Sequence, residues 1–125
     1  MVVPGLAAFA GSNYLNLETY RKTGAAVATP VWFAEEGGTL YVYSLADAGK
    51  VKRIRNRSEV RIAPCDIRGR LEGEWAAASA RIVTGEEVPR GHRLLDRKYG
   101  WLKRIGGLLN RLRRREYAVI AIEVR

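Results

Sequence analysis

Residues typical of β-strands cluster in short stretches along this chain, and each stretch is bounded by residues that favour turns. Five stretches show the pattern: 25–33, 39–45, 59–65, 74–83 and 117–124. Residues 12–20 are expected to lead into a further strand, ahead of the turn at 21–24. Short turns between the stretches, with no alternation of strand and crossover helix, predict a mainly β fold of antiparallel strands. The expected architecture is a small β-barrel with a few short helices attached.

Helical periodicity is confined to a few segments. Residues 50–57 form one predicted helix, with Val51 and Ile54 on its buried side. Between 90 and 115 a second helical region carries an apolar stripe at helical spacing, which consists of Leu102, Ile105, Leu109 and Leu112. Apolar residues 2–10 predict a short N-terminal helix, because they lack the basic flank and the length of a signal peptide. No apolar run reaches the length of a membrane span, so no membrane partner is expected.

Length and composition predict one domain over residues 1–125 with an ordinary apolar content of 47%. Cys65 is the single cysteine and His92 the single histidine. A structural disulfide within the chain and the common His/Cys metal sites are therefore excluded, and no metal is predicted. A reducing cytoplasm is the expected location. Many small residues in the strands predict a barrel that needs a partner to cover one face, and hence a homodimer.

The net charge of +9 is concentrated in one segment. Residues 90–115 hold ten Lys or Arg and one acid, whereas the rest of the chain holds twelve bases and twelve acids. Such a segment is typical of a solvated amphipathic helix, and it is also compatible with binding to nucleic acid or an anionic membrane surface. Few aromatic residues are interleaved with its cations, so nucleic-acid binding is the weaker hypothesis.

A second basic cluster follows the predicted hairpin of residues 25–45. Lys50 to Arg57 contains five cations in eight residues at the start of the predicted helix. The first N–H groups of a helix point outward and favour anions, and neighbouring Lys and Arg side chains add charge-assisted donors. The sequence therefore predicts an anion site here, suited to the phosphate of a flat cofactor lying on the adjacent sheet.

Several short motifs occur in an order that resembles a known superfamily. They are Tyr14-Leu15-Asn16-Leu17, Thr19 to Gly24, Val27 to Phe33, Leu40-Tyr41-Val42, Gly49 to Arg55 and Val60 to Asp66. Together they resemble the pyridoxamine 5'-phosphate oxidase-like split β-barrel superfamily, in particular its branch of coenzyme F420-dependent oxidoreductases. The resemblance covers residues 12–84 well and the remainder loosely. It implies a six-stranded antiparallel split barrel that forms a homodimer and binds its cofactor in a groove between subunits.

The resemblance also implies the cofactor-binding residues. Ala28, Thr29, Pro30 and Val31 would lie along the ring system of the cofactor. Tyr43 and Ser44 would lie near its ribityl and phosphate region. The residues that would hold the phosphate are Lys50, Val51, Lys52 and Arg53. The implied cofactor is coenzyme F420, with FMN as the alternative, and the implied reaction is hydride transfer to an electron-poor small molecule.

Two departures from the superfamily limit what the resemblance implies. The Arg–His substrate clamp of true pyridoxamine-phosphate oxidases is missing, since the one histidine lies in the basic segment. No side chain is identifiable as a catalytic acid or base, which is compatible with a cofactor that performs the redox chemistry itself. A non-catalytic carrier of a flavin or deazaflavin therefore remains an alternative. The polyglutamate tail of the deazaflavin gives the basic segment 90–115 a further hypothetical role as its receptor.

Overall fold

Six strands build the domain in the computed structural model, which describes residues 6–45, 47–87, 89–91, 93–95, 97–98 and 117–125. The strands are β1 (Tyr14–Tyr20), β2 (Ala26–Glu36), β3 (Thr39–Leu45), β4 (Glu59–Cys65), β5 (Ala76–Ile82) and β6 (Tyr117–Val124). A 3-10 helix covers Leu6–Phe9, α1 covers Gly49–Asn56, and the described residues between 87 and 98 are helical and are called α2. All strand pairs are antiparallel, and the sheet closes into a barrel in the order β1-β2-β3-β6-β5-β4.

The predicted fold class is confirmed: the domain is a six-stranded antiparallel barrel with short helices. The predicted bounds of β3, β4 and β6 agree with the structure. The prediction for β2 was too short, because the strand continues to Glu36 before the turn at Gly37 and Gly38, whose φ angles are both positive. Several predictions fall outside the described residues, namely those for His92, Trp101 and the apolar stripe of 102–112. The role proposed for the basic segment as a whole depends on these residues, so it stays a prediction.

The barrel interior is filled by alternate residues of the strands, as the period of two requires. Its largest fully buried side chains include Phe33, Leu15, Leu17, Leu40 and Ile62. As predicted, α1 adds Val51 and Ile54 to this core, and both are at most 3% exposed. Burial of these two side chains fixes which face of α1 remains in contact with solvent.

β2 changes its pairing partner along its length. Residues 26–32 pair with β1, whereas pairing with β3 runs only from Phe33 opposite Val42 to Glu36 opposite Thr39. Among the described strands, nothing is paired with the second edge of residues 26–32. The barrel is therefore split between the first half of β2 and the end of β3. Pro30 lies in this half, where a missing backbone N–H is tolerated.

α2 packs on the outer face of the barrel. Leu95 is fully buried against Ala34, with Trp32 and Tyr43 beside the pair. The start of the helix is held by Glu87, which accepts hydrogen bonds from Arg81 at 2.9 and 2.7 Å and from the Tyr41 hydroxyl at 3.3 Å. The helix thus supports, from outside, the part of the sheet beside the split.

Candidate functional site

The N-terminus of α1 lacks the capping that most helices have. Ala48 occupies the N-cap position in an extended conformation, so no side chain caps the helix, and the first turn contains no acid. Helix N-termini carry outward N–H groups and a partial positive charge that favour a negatively charged partner. This end of α1 is therefore suited to an anion.

Lys50 and Arg53 add two side-chain cations to this helix end. Arg53 Nε donates a hydrogen bond of 2.6 Å to the hydroxyl of the buried Thr19, which ties the guanidinium to β1. The guanidinium also lies against Gly49, where an added Cβ would come within 2.7 Å of Nη1. Burial lowers the pKa of Lys50, and the nearby charge of Arg53 lowers it further. Neither cation forms an ion pair within the described part of the chain, so a bound anion would relieve their mutual repulsion.

The other two residues predicted to hold a phosphate differ in position. The Val51 side chain is fully buried, and its N–H donates to the Ala48 carbonyl at 3.1 Å. Val51 therefore holds the helix in place, and neither its side chain nor its N–H is directed to a ligand. Lys52 is exposed on the helix surface, and its N–H donates to the same carbonyl at 3.4 Å.

Lys52 and Arg53 also line a basic pocket of about 460 Å³ between α1 and the β1–β2 turn. The other lining residues are Tyr20, Arg21, Lys22, Asn56 and Arg57. Arg57 lies 4.6 Å from the centre of the Tyr20 ring and forms an ion pair with Glu59. This pocket extends the anion-binding character of α1 towards the β1–β2 turn.

The four predicted ring-contact residues of β2 alternate between the two faces of the strand. Ala28 and Pro30 are exposed, whereas Thr29 is partly buried and Val31 is buried. Only Ala28 and Pro30 thus present side chains to the outer surface. The side chains of Thr29 and Val31 are directed inward, so a ring on the outer surface could contact these two residues only through their backbone.

A shallow groove of about 260 Å³ brings two of the predicted segments together. It is lined by Tyr14, Pro30, Val31, Trp32 and Tyr43. The Tyr14 and Trp32 rings are 6.4 Å apart and tilted by 55°, so they form an aromatic wall. Flat aromatic surfaces of this kind suit a planar ring system.

Ser44 does not reach this groove. It is 6% exposed, and its hydroxyl donates to the Leu45 carbonyl at 3.2 Å. Its position at the end of β3 places it between the groove and the start of α1, because Tyr43 precedes it and Gly49 opens the helix shortly afterwards.

Sequence reasoning missed several residues of this region. Tyr14 and Trp32 line the groove, and Arg21 and Lys22 line the basic pocket. An antiparallel register would have placed Tyr14 opposite Trp32, since the two strands form a hairpin around the 21–24 turn. The bond from Arg53 to Thr19 had no signal in the sequence, because its partners are 34 residues apart.

Chemistry other than cofactor binding finds little support in the described residues. Within them, no group of three or more His, Cys, Asp or Glu could hold a metal ion. Cys65 is buried, as predicted, and burial raises the pKa of its thiol to about 11, so it is a poor nucleophile. No helix in the described ranges has the length and apolar character needed to span a membrane.

Comparison with known proteins supports the fold rather than a particular activity. No protein-family model matches the chain, and no curated protein matches its sequence. Among solved structures, the heme storage protein HutZ of Vibrio cholerae superposes with a TM-score of 0.69 at 14% identity, over 100% of this chain and 92% of that one. An FAD-binding protein of Mesorhizobium loti gives a TM-score of 0.62 at 13% identity, over 96% and 84% of the two chains.

A third similar structure is an F420-H2 dependent reductase, with a TM-score of 0.64 and 16% identity over 89% of this chain and 94% of that one. The FAD-binding protein and the F420-H2 dependent reductase have the split barrel of the pyridoxamine 5'-phosphate oxidase-like superfamily. The domain therefore has the split-barrel fold of that superfamily, as the sequence motifs predicted. The fold accommodates flavin and deazaflavin cofactors in some of these proteins and heme storage in another.

Proposed function

We propose that the protein is an F420-dependent oxidoreductase that transfers a hydride from the reduced deazaflavin to an electron-poor organic substrate. A quinone, an enone or another extended conjugated molecule has the required chemistry. The observation that carries the proposal is the α1 N-terminus, where an uncapped helix end meets Lys50 and Arg53, and neither cation forms an ion pair with a carboxylate of the described residues. A cofactor phosphate supplies the missing negative charge.

In this proposal, the chain binds and orients a cofactor that carries the redox chemistry. Lys50, Lys52 and Arg53 hold the phosphate, and Arg21 and Lys22 extend the positive surface towards any anionic tail. Ala28 and Pro30 support the ring, beside the aromatic groove that Tyr43 lines. The protein acts as a cytoplasmic homodimer with a small-molecule substrate, without nucleic acid or membrane.

Separate fluorescence titrations with coenzyme F420 and FMN test the proposal. Lys50→Ala should weaken binding of the preferred cofactor about 10-fold, the effect of losing one hydrogen bond to a charged group. Arg55→Ala is the matched control, since Arg55 is an exposed cation in the last turn of the same helix, away from its N-terminus. Tight FMN binding with no F420 binding would replace the proposed cofactor, and binding of neither at micromolar concentration would overturn the proposal.

A second candidate function is a non-catalytic carrier of a flavin or deazaflavin. Two observations favour it: no carboxylate, histidine or lysine lines the described groove, and a heme storage protein has a similar fold. The carrier would bind the cofactor tightly but reduce no acceptor. Turnover of a quinone or enone by the reduced cofactor in the presence of the protein, faster than without it, would exclude this function.

A further inference from the structure

Residues 66–73, in the connection between β4 and β5, form a loop that is held by hydrogen bonds to Asp66. The Asp66 carboxylate accepts hydrogen bonds from the N–H groups of Arg68 and Arg70, both at 2.9 Å. These hydrogen bonds lower the pKa of Asp66, and the bond from the Arg70 N–H has the largest effect. The Asp66 N–H in turn donates to the Arg70 carbonyl at 3.0 Å. The loop therefore presents a fixed shape before any ligand binds.

The tip of this loop lies against the proposed ring support. Asn16, which is 6% exposed, donates from Nδ2 to the Gly69 carbonyl at 2.7 Å. A Cβ added to Gly69 would lie 3.8 Å from Pro30 Cδ, and Asn16 and Pro30 are opposite one another in the β1–β2 register. The outer surface at Pro30 is thus bordered on one side by the loop tip.

The residues that flank this tip combine positive charge with an apolar side chain. Arg68 and Arg70 are exposed on either side of Gly69, and across the described residues neither guanidinium forms an ion pair. Ile67 is 66% exposed, which is unusual for a large apolar residue. Arginine recognises carboxylates through paired, charge-assisted hydrogen bonds.

We propose that Arg68 and Arg70 bind the carboxylate of an organic acceptor whose conjugated body stacks on the cofactor ring held at Pro30. This inference rests on the proposed function, and it names the substrate class: a carboxylate-bearing conjugated acceptor rather than a neutral one. Ile67 contacts the hydrocarbon part of the acceptor. Because Asp66 and Asn16 hold the loop backbone, binding needs to order only the two arginine side chains and not the loop itself.

A matched pair of acceptors tests the inference, namely a naphthoquinone with a carboxylate side chain and its methyl ester. Calorimetry measures the binding of each to the protein loaded with oxidised cofactor. Arg68→Ala and Arg70→Ala should each weaken binding of the carboxylate about 10-fold and leave binding of the ester unchanged. Arg68→Lys should retain part of the affinity because it keeps the charge but loses the paired geometry. Arg55→Ala on α1 serves as the control.

Equal losses for carboxylate and ester, or no loss for either, would overturn the inference. The same titrations on protein without cofactor separate it from the proposed function. If no flavin or deazaflavin binds, but the carboxylate probe binds and the Arg68→Ala/Arg70→Ala double variant loses that binding, the proposed function fails and the arginine site stands. If the cofactor binds and the double variant binds both acceptors with the affinity of the parent, the arginine site is overturned but the proposed function is not.

Discussion

Glu18 is a charged residue that the barrel buries on its outer side. It is 7% exposed, and its carboxylate accepts hydrogen bonds from Arg61 at 2.7 and 3.1 Å and from the Tyr20 hydroxyl at 3.0 Å. Arg61 also lies 4.9 Å from the centre of the Trp75 ring. A buried carboxylate is tolerated only when hydrogen-bond partners satisfy it, so the bonds from Arg61 and Tyr20 offset the cost of burying the Glu18 charge.

The ion pair between Glu18 and Arg61 should make stability depend on acid pH. Hydrogen bonding to Arg61 lowers the pKa of Glu18 below its ordinary value of 4.5, although burial opposes the shift. The ionised carboxylate therefore stabilises the fold fully above pH 4.5, and this contribution is lost as the pH falls through the lowered folded pKa. Glu18→Gln should unfold at lower urea concentration than the parent at pH 7, and the difference should shrink in acid.

Glu59→Gln is the control for this comparison. Its ion pair with Arg57 is exposed, with both side chains 46% accessible, and exposed pairs contribute little. Urea midpoints measured at several pH values distinguish the two variants. A constant difference between Glu18→Gln and the parent at every pH would contradict the assigned role of the carboxylate.

At the scale of elements, α2 approaches the barrel closely enough to require a glycine. A Cβ added to Gly91 would lie 2.6 Å from Val119 Cγ1 and 3.5 Å from Tyr41 Cδ1. Ion pairs of Glu87 with Arg81 and of Arg90 with Glu36 hold the start of the same helix. Further along this helix, Lys98 donates to the Phe33 carbonyl at 2.8 Å. Close contact at Gly91 thus sets how deeply α2 packs beside Trp32 and Tyr43.

Gly91→Ala should destabilise the protein despite the better helix propensity of alanine. Propensity alone favours alanine by about 1 kcal/mol. Overpacking against β3 and β6 costs about 1–3 kcal/mol, and we expect this cost to dominate. The free energy of unfolding in urea measures the balance, with Arg93→Ala, an exposed site on the same helix, as control. A Gly91→Ala variant more stable than the parent would show that α2 does not rest on the strands at this point.

Local patterns in the sequence predicted the strands but not the contacts between distant segments. β3, β4 and β6 were predicted correctly because each has apolar residues between clear turn signals. Lys50 could be singled out because the helix start is visible locally. By contrast, the Asn16 bond to Gly69 joins residues 53 positions apart, so only the folded register brings them together. The orientation of Val51 into the core was predicted, and that orientation is why its side chain does not face a ligand.

The whole molecule leaves several large apolar side chains exposed. Leu45 is 38%, Leu71 47% and Ile67 66% accessible. A single chain of 14.0 kDa has limited interior volume, and large exposed apolar residues occur at protein and ligand interfaces. The structure of one chain is therefore compatible with the predicted homodimer, in which a second copy covers part of this surface.

Light scattering after gel filtration should give a mass twice the 14.0 kDa of one chain. Leu45→Asp should shift the population towards single chains, because it places a charge at the end of β3 beside the split. Thr84→Asp adds the same charge at an exposed polar site and should leave the mass unchanged. A parent protein that elutes with the mass of one chain at micromolar concentration would contradict the predicted homodimer.

The change of partner along β2 has a consequence for solubility. An unpaired strand edge is a template on which another molecule can add a strand, which is the first step of many aggregation processes. Residues 26–32 contribute such an edge, and Pro30, near their middle, has no backbone N–H to donate. The proline thus disfavours the addition of a further β-strand at this edge. A variant that restored the N–H at position 30 would keep the fold of each molecule while making a concentrated solution prone to precipitate.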